Sequence, residues 1–172
     1  MPWPSCSGVL SAPPESSSWN ASLQCRRDGC GLRLQCWSAA IATAVLVVDA
    51  SAVAELVLGT VKGRAVAVAI GDHTLHAPEL MPLEVASVLR GLVRAGEIQA
   101  GELPQLLANL AALGVELYEH LPLLGRVMDL RDNATVYDAI YLALAEVLDA
   151  PLLTCDKKLA TVAGTAATVH VV

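Results

Sequence analysis

The stretch Val45–Leu56, VLVVDASAVAEL, constrains the fold more than any other part of the chain. Four apolar residues, Val45 to Val48, run straight into Asp49, and an apolar segment of helical character follows. A short β-branched run of this kind predicts a strand covered on both faces, as in a parallel sheet flanked by helices. Asp49 then stands at the carboxyl end of that strand, where ligand sites of open α/β sheets collect. An Asp ahead of a helix can also be an N-cap. Ser51 is expected to fill that role, which leaves Asp49 without a structural reason.

From Val45 onward the pattern alternates. The strand 45–48 precedes a helix from Ser51 to about Leu58, closed by Gly59, and a second helix from Val61 to Ile70, ended by Gly71-Asp72. Thr74 to Ala77 is extended. A long helix from about Glu79 to Ala95 tolerates Pro82 in its first turn and ends at Gly96. Its residues Val85, Val88, Leu89 and Leu92 follow the spacing of a buried helical face. Ala100–Leu113 reads as helix, Val115–Glu119 as strand, Pro122–Leu130 as helix, and Thr135–Leu148 as an amphipathic helix capped by Thr135. Pro151–Thr154, Asp156–Val162 and Thr168–Val171 complete the series as strand, short helix and strand. Strands alternating with helices predict an α/β domain whose central sheet, of about four to five strands, is mostly parallel and flanked by helices in three layers. Apolar residues make up 55% of the chain and Phe is absent, so the core must be aliphatic.

Four carboxylates occupy one kind of position. Asp49 and Asp156 follow strands, and Glu84 and Asp138 lie in the first turns of helices. With right-handed crossovers those ends share one edge of the sheet. Each residue could also be a cap or a dipole partner. Together they would repel one another unless cations neutralise them. Oxygen-only ligands select Mg²⁺, with Mn²⁺ as a substitute, and such a cluster suits phosphodiester cleavage. The net charge of −6 excludes nucleic-acid binding through a broad basic surface, but not a nuclease whose metal supplies the positive charge.

Residues 1–44 differ in composition, being rich in Ser, Pro, Cys, Trp and Arg and lacking periodicity. Cys6, Cys25, Cys30 and Cys36 lie there, and only Cys155 lies beyond. Their spacing suits neither a disulfide framework nor paired zinc knuckles. The apolar run Trp37–Val48 after Arg26, Arg27 and Arg33 imitates a signal peptide, but the charged region starts late and cleavage would remove the first strand. The run is too short to span a membrane. The expectation is a cytoplasmic domain at 45–172, with 1–44 a disordered extension or a stretch ahead of a valine start codon near Val45 or Val47.

The segments VLVVDASA, HAPELMPLEVASVLR, TVYDAIYLALAE and LLTCDKKLA, in this order and spacing, resemble PIN-domain ribonucleases, and most closely the VapC toxins of type II toxin–antitoxin modules. The resemblance covers Val45 to Val172. It implies a PIN-like fold and a Mg²⁺-dependent endoribonuclease that cuts cellular RNA with a metal-activated water. By the same resemblance Asp49 and Asp138 are the principal metal ligands, Glu84 and Asp156 support them, and Ser51 and Thr154 line the pocket. Ser87, where many relatives carry Asn, and Pro82 are mild departures. The family further implies a VapB-type antitoxin as partner and a homodimer. Arg64, Arg90, Arg94, Arg131, Lys157 and Lys158 are the cations available to RNA. Alternatives are a housekeeping PIN nuclease and a catalytically inactive PIN-like binding module. A phospho-acceptor domain would need acids around the first strand that are missing, and Asp49-Ala50-Ser51 lacks the second Asp of a haloacid-dehalogenase-type phosphatase.

Overall fold

The structure, a computed structural model, describes residues 44–172. The expected N-terminal extension, apart from Ala44, lies outside the described residues, as do its four cysteines. In chain order the elements are β1 (Val45–Val48), α1 (Ala50–Leu58), α2 (Val61–Ile70), β2 (Thr74–Pro78), α3 (Met81–Ala95), α4 (Leu103–Ala112), β3 (Glu116–Tyr118), α5 (Leu124–Asp129), α6 (Val136–Val147), β4 (Leu152–Thr154) and β5 (Val169–Val171). Short 3₁₀ turns at Ala100–Glu102, Leu121–Leu123 and Leu159–Thr161 replace the start of one expected helix, the start of another and the whole of the third.

All four strand pairings are parallel, in the order β3-β2-β1-β4-β5. The first strand is therefore the central one, and Leu46, Val47 and Val48 are buried. From β1 the chain moves outward to β2 and β3, then crosses back through α5 and α6 to β4 on the other side. Right-handed crossovers in opposite directions place their helices on opposite faces, which gives the three layers. The reversal of strand order leaves a crevice outside the carboxyl ends of β1 and β4.

Local sequence accounts for the helix ends. Gly59 and Gly96 close α1 and α3 at φ 65° and 75°, a backbone region glycine reaches without cost. Thr60 caps α2 by accepting from Gly63 N–H at 2.9 Å. Gly63 also fixes how closely α2 crosses α1: a Cβ there would lie 2.0 Å from the Glu55 carbonyl oxygen.

Two expectations need correction. Helix α6 is not simply amphipathic, because every residue from Ala139 to Ala145 is buried. Seven consecutive buried positions span nearly two turns, so this segment is covered all round. In α3, Val88 is 42% exposed, so the buried face is carried by Met81, Val85 and Leu89 alone. Among the described residues, no helix is long and apolar enough to cross a membrane.

Candidate active site

The crevice is built first by β1. Asp49 follows it directly, is 8% exposed, and occupies the N-cap position of α1 without its side chain making a capping bond. Ser51 is not the cap expected of it, because it lies inside the helix. Its hydroxyl donates to Asp49 Oδ2 at 2.5 Å and accepts from Cys155 N–H at 3.0 Å. Thr154, at the end of neighbouring β4 and fully buried, donates to the same Oδ2 at 2.7 Å. Two hydroxyls thus orient Asp49 through one oxygen, and Oδ1 receives no hydrogen bond from the described residues.

Helix α3 supplies Glu84, whose Oε2 accepts from the Tyr141 hydroxyl of α6 at 2.5 Å. Helix α6 supplies Asp138, whose Oδ2 accepts from Thr135 Oγ1 at 2.8 Å, while Asp138 N–H donates back to Thr135 Oγ1 at 3.1 Å. The three carboxylates share a pattern: one oxygen is held by a hydroxyl, and the other has no donor among the described residues. They also sense one another. Burial pushes the Glu84 carboxyl above its ordinary range, the Tyr141 hydroxyl holds it back, and the charges of Asp49 and Asp138 push it further up. Burial likewise raises the Tyr141 hydroxyl, reinforced by its bond to Glu84, so it stays a donor at neutral pH.

The fourth expected residue, Asp156, is placed differently. Its N–H donates to Thr154 Oγ1 at 2.9 Å, which links it to Asp49 through one hydroxyl. Its own Oδ1 accepts from Lys158 N–H at 2.9 Å and closes a turn. Asp49 and Asp138 act on Glu84 through their charges, and Asp156, whose Oδ2 likewise has no donor among the described residues, is linked to Asp49 through Thr154.

The donor chemistry suits a hard divalent cation, since three carboxylates each offer an oxygen that no donor among the described residues uses. Among the described residues, no three His, Cys, Asp or Glu side chains are already drawn in tightly enough to hold a metal ion. The sequence alone did not single out Tyr141 or Thr135 for roles at these carboxylates. Thr135 had a local signal, being three residues ahead of Asp138. Tyr141 had none, because its partner lies 57 residues away.

Comparison with known proteins agrees with this architecture. The PIN domain family model matches residues 46–165. The chain is 38% identical over 128 residues to Ribonuclease VapC12 of Mycobacterium tuberculosis, covering 74% of this chain and 99% of that protein. It is 40% identical over 122 residues to Ribonuclease VapC1 of the same organism, covering 69% and 90%. Ribonuclease VapC3 of Pyrobaculum aerophilum is 36% identical over 120 residues, covering 67% and 92%. The crystal structure of PAE2754 from Pyrobaculum aerophilum superposes with a TM-score of 0.55 at 23% identity, over 73% of this chain and 83% of that one, a likeness of fold. A parallel sheet with its carboxylates at the β1–β4 crevice, matched over most of its length to these proteins, places the chain in the PIN-domain family, among its VapC members.

Proposed function

We propose that this protein is a Mg²⁺-dependent endoribonuclease and the toxin of a VapBC-type pair. One observation supports the reading: Asp49 and Asp138 both act on Glu84 through their charges, and each of the three has one oxygen tied to a hydroxyl and the other without a donor among the described residues. Asp49 and Asp138 are the principal cation ligands and Glu84 completes the set. Mg²⁺ bound there supplies an activated water and the positive charge that a phosphodiester needs. Ser51, Thr154, Tyr141 and Thr135 hold the carboxylates in orientation, so that little reorganisation is left for the reaction. Glu84 is raised by burial first and by the charges of Asp49 and Asp138 after it, and a cation would offset the part owed to those charges.

An antitoxin partner and self-association have a surface to use. Val61 and Val68 on α2 are 76% and 83% exposed, and Leu83 on α3 is 75% exposed beside Glu84. A VapB-type segment laid over Leu83 would lie beside Glu84, and the exposed α2 side chains are open to a second copy. The cytoplasm, where Mg²⁺ and RNA coexist, is the compartment this chemistry requires.

The test is cleavage of cellular RNA by the full-length protein with and without Mg²⁺, followed by sequencing of the new RNA ends. Wild type is expected to cut only with the cation, and Asp49→Asn and Asp138→Asn are expected to be inactive yet folded. Full activity in both variants refutes the assignment.

A further inference from the structure

A cleft of about 450 Å³ opens beside Asp138, between the loop ahead of α6 and the turn after β4. Arg131, Asp132 and Thr135 line one side, and Lys158 and Thr161 line the other. Its charges are not equivalent. Asp132 pairs with Arg131 at 3.5 Å, and Asp138 is committed to Thr135 and to the proposed cation. Lys158 has no ion-pair partner among the described residues.

The backbone of Lys158 is fixed by its own turn. Its N–H donates to Asp156 Oδ1 at 2.9 Å, and its carbonyl accepts from Thr161 Oγ1 at 2.8 Å and Thr161 N–H at 3.0 Å. The next residue, Leu159, is 2% exposed and anchors the turn in the core. A continuous chain of hydrogen bonds, Asp49 to Thr154 to Asp156 to the Lys158 N–H, ties the backbone that carries this cation to the first carboxylate of the crevice. A strand of RNA laid across an acidic edge needs positive charge under the phosphates that flank the reacting one. An ammonium on a pinned backbone, facing the cleft that Asp138 borders, meets that need as a point charge.

We infer that Lys158 contacts a substrate phosphate next to the scissile one and that Asp156 is its positioning residue. This rests on the ribonuclease reading above. It gives Asp156 a role that differs from metal ligation, and the two roles separate experimentally.

The experiment uses the full-length protein in Mg²⁺ with a pool of short fluorescent oligoribonucleotides for cleavage and a 2′-deoxy oligonucleotide for binding. Lys158→Ala is expected to raise KM about tenfold, to leave kcat within about twofold, and to lower the salt dependence of binding by about one ion. Lys158→Arg restores KM. Asp156→Ala raises KM to a similar degree, and adding it to Lys158→Ala raises KM no further. Asp156→Asn keeps the Oδ1 acceptor and restores KM. An unchanged KM and salt slope in Lys158→Ala overturns the inference. So does loss of kcat in Asp156→Asn with a higher Mg²⁺ requirement, which makes Asp156 a ligand. If the wild type binds but does not cleave, the ribonuclease reading fails, while the salt slope of Lys158→Ala still decides the phosphate contact.

Discussion

Two groups of carboxylates in this fold experience opposite electrostatics. At one end of α6, Glu146 accepts from Arg126 Nε at 2.6 Å, from Arg126 Nη2 at 3.1 Å, from Thr165 Oγ1 at 2.7 Å and from Ala166 N–H at 2.8 Å. The Arg126 guanidinium, helped by Thr165 and Ala166, outweighs burial and holds the Glu146 carboxyl at about 2. At the other end of the same helix lies Asp138, and there burial and the charges of Asp49 and Asp138 push Glu84 upward, with no ion pair to a cation among the described residues. The first cluster is completed by the chain and serves stability, because it fastens α5, α6 and the 164–166 loop together. In the second, each carboxylate keeps an oxygen without a donor among the described residues.

The largest expected effect comes from the incomplete cluster. Asp49→Asn or Asp138→Asn is expected to lower RNA cleavage at least about a hundredfold without lowering the melting temperature, since each removes negative charge from a repelling group. Cleavage rate and thermal melting on the same preparation check both halves. Next is Tyr141→Phe, which frees Glu84 while keeping the ring in the core. A loss of about tenfold in kcat is expected, at a cost near 1 kcal/mol in denaturant unfolding.

The completed cluster behaves the other way. Glu146→Gln is expected to lower the melting temperature by several degrees and to leave kcat intact, because it breaks the clasp and touches no open carboxylate. Glu146 has a folded-state value below its ordinary one, so it contributes stability above its unfolded value near 4.5 and loses it as pH falls toward about 2. Wild-type stability should therefore drop through that window, and Glu146→Gln should flatten the drop; unfolding midpoints across acid pH measure it. The smallest effect is local. Asp149 turns the chain between α6 and β4 at φ 47°, so Asp149→Gly should be neutral or stabilising by a few tenths of a kcal/mol in the same unfolding assay.

How much of this was legible in the sequence depends on the range of each interaction. Helix α2 was read from Val61 to Ile70 residue for residue, because Thr60 and Gly71 mark it locally. The burial of β1 followed from its wholly apolar run, while its central place in the sheet is visible only in the folded chain. The expectation that Asp49, Glu84, Asp138 and Asp156 share one edge came from topology, since strand ends and helix starts lie there. The hydroxyl that holds each carboxylate was partly hidden. Thr135 is three residues from Asp138, but Thr154 is 105 residues from Asp49, and only the pairing of β1 with β4 brings them together. Ser51 was misread as a cap for the same reason, because its bond to Cys155 spans 104 residues. Asp156 shared a strand-end position with Asp49 and ranked as a supporting residue, and its turn onto Lys158 is visible only in the folded chain.

The central claim is that Asp49, Glu84 and Asp138 form one cation site. Titrating Mn²⁺ into the full-length protein by calorimetry, for wild type and Asp138→Asn, tests it without knowledge of the RNA target. Saturable binding in the wild type, lost in Asp138→Asn while the melting temperature holds, is the predicted result. Equal binding in both proteins, or none in the wild type, contradicts it.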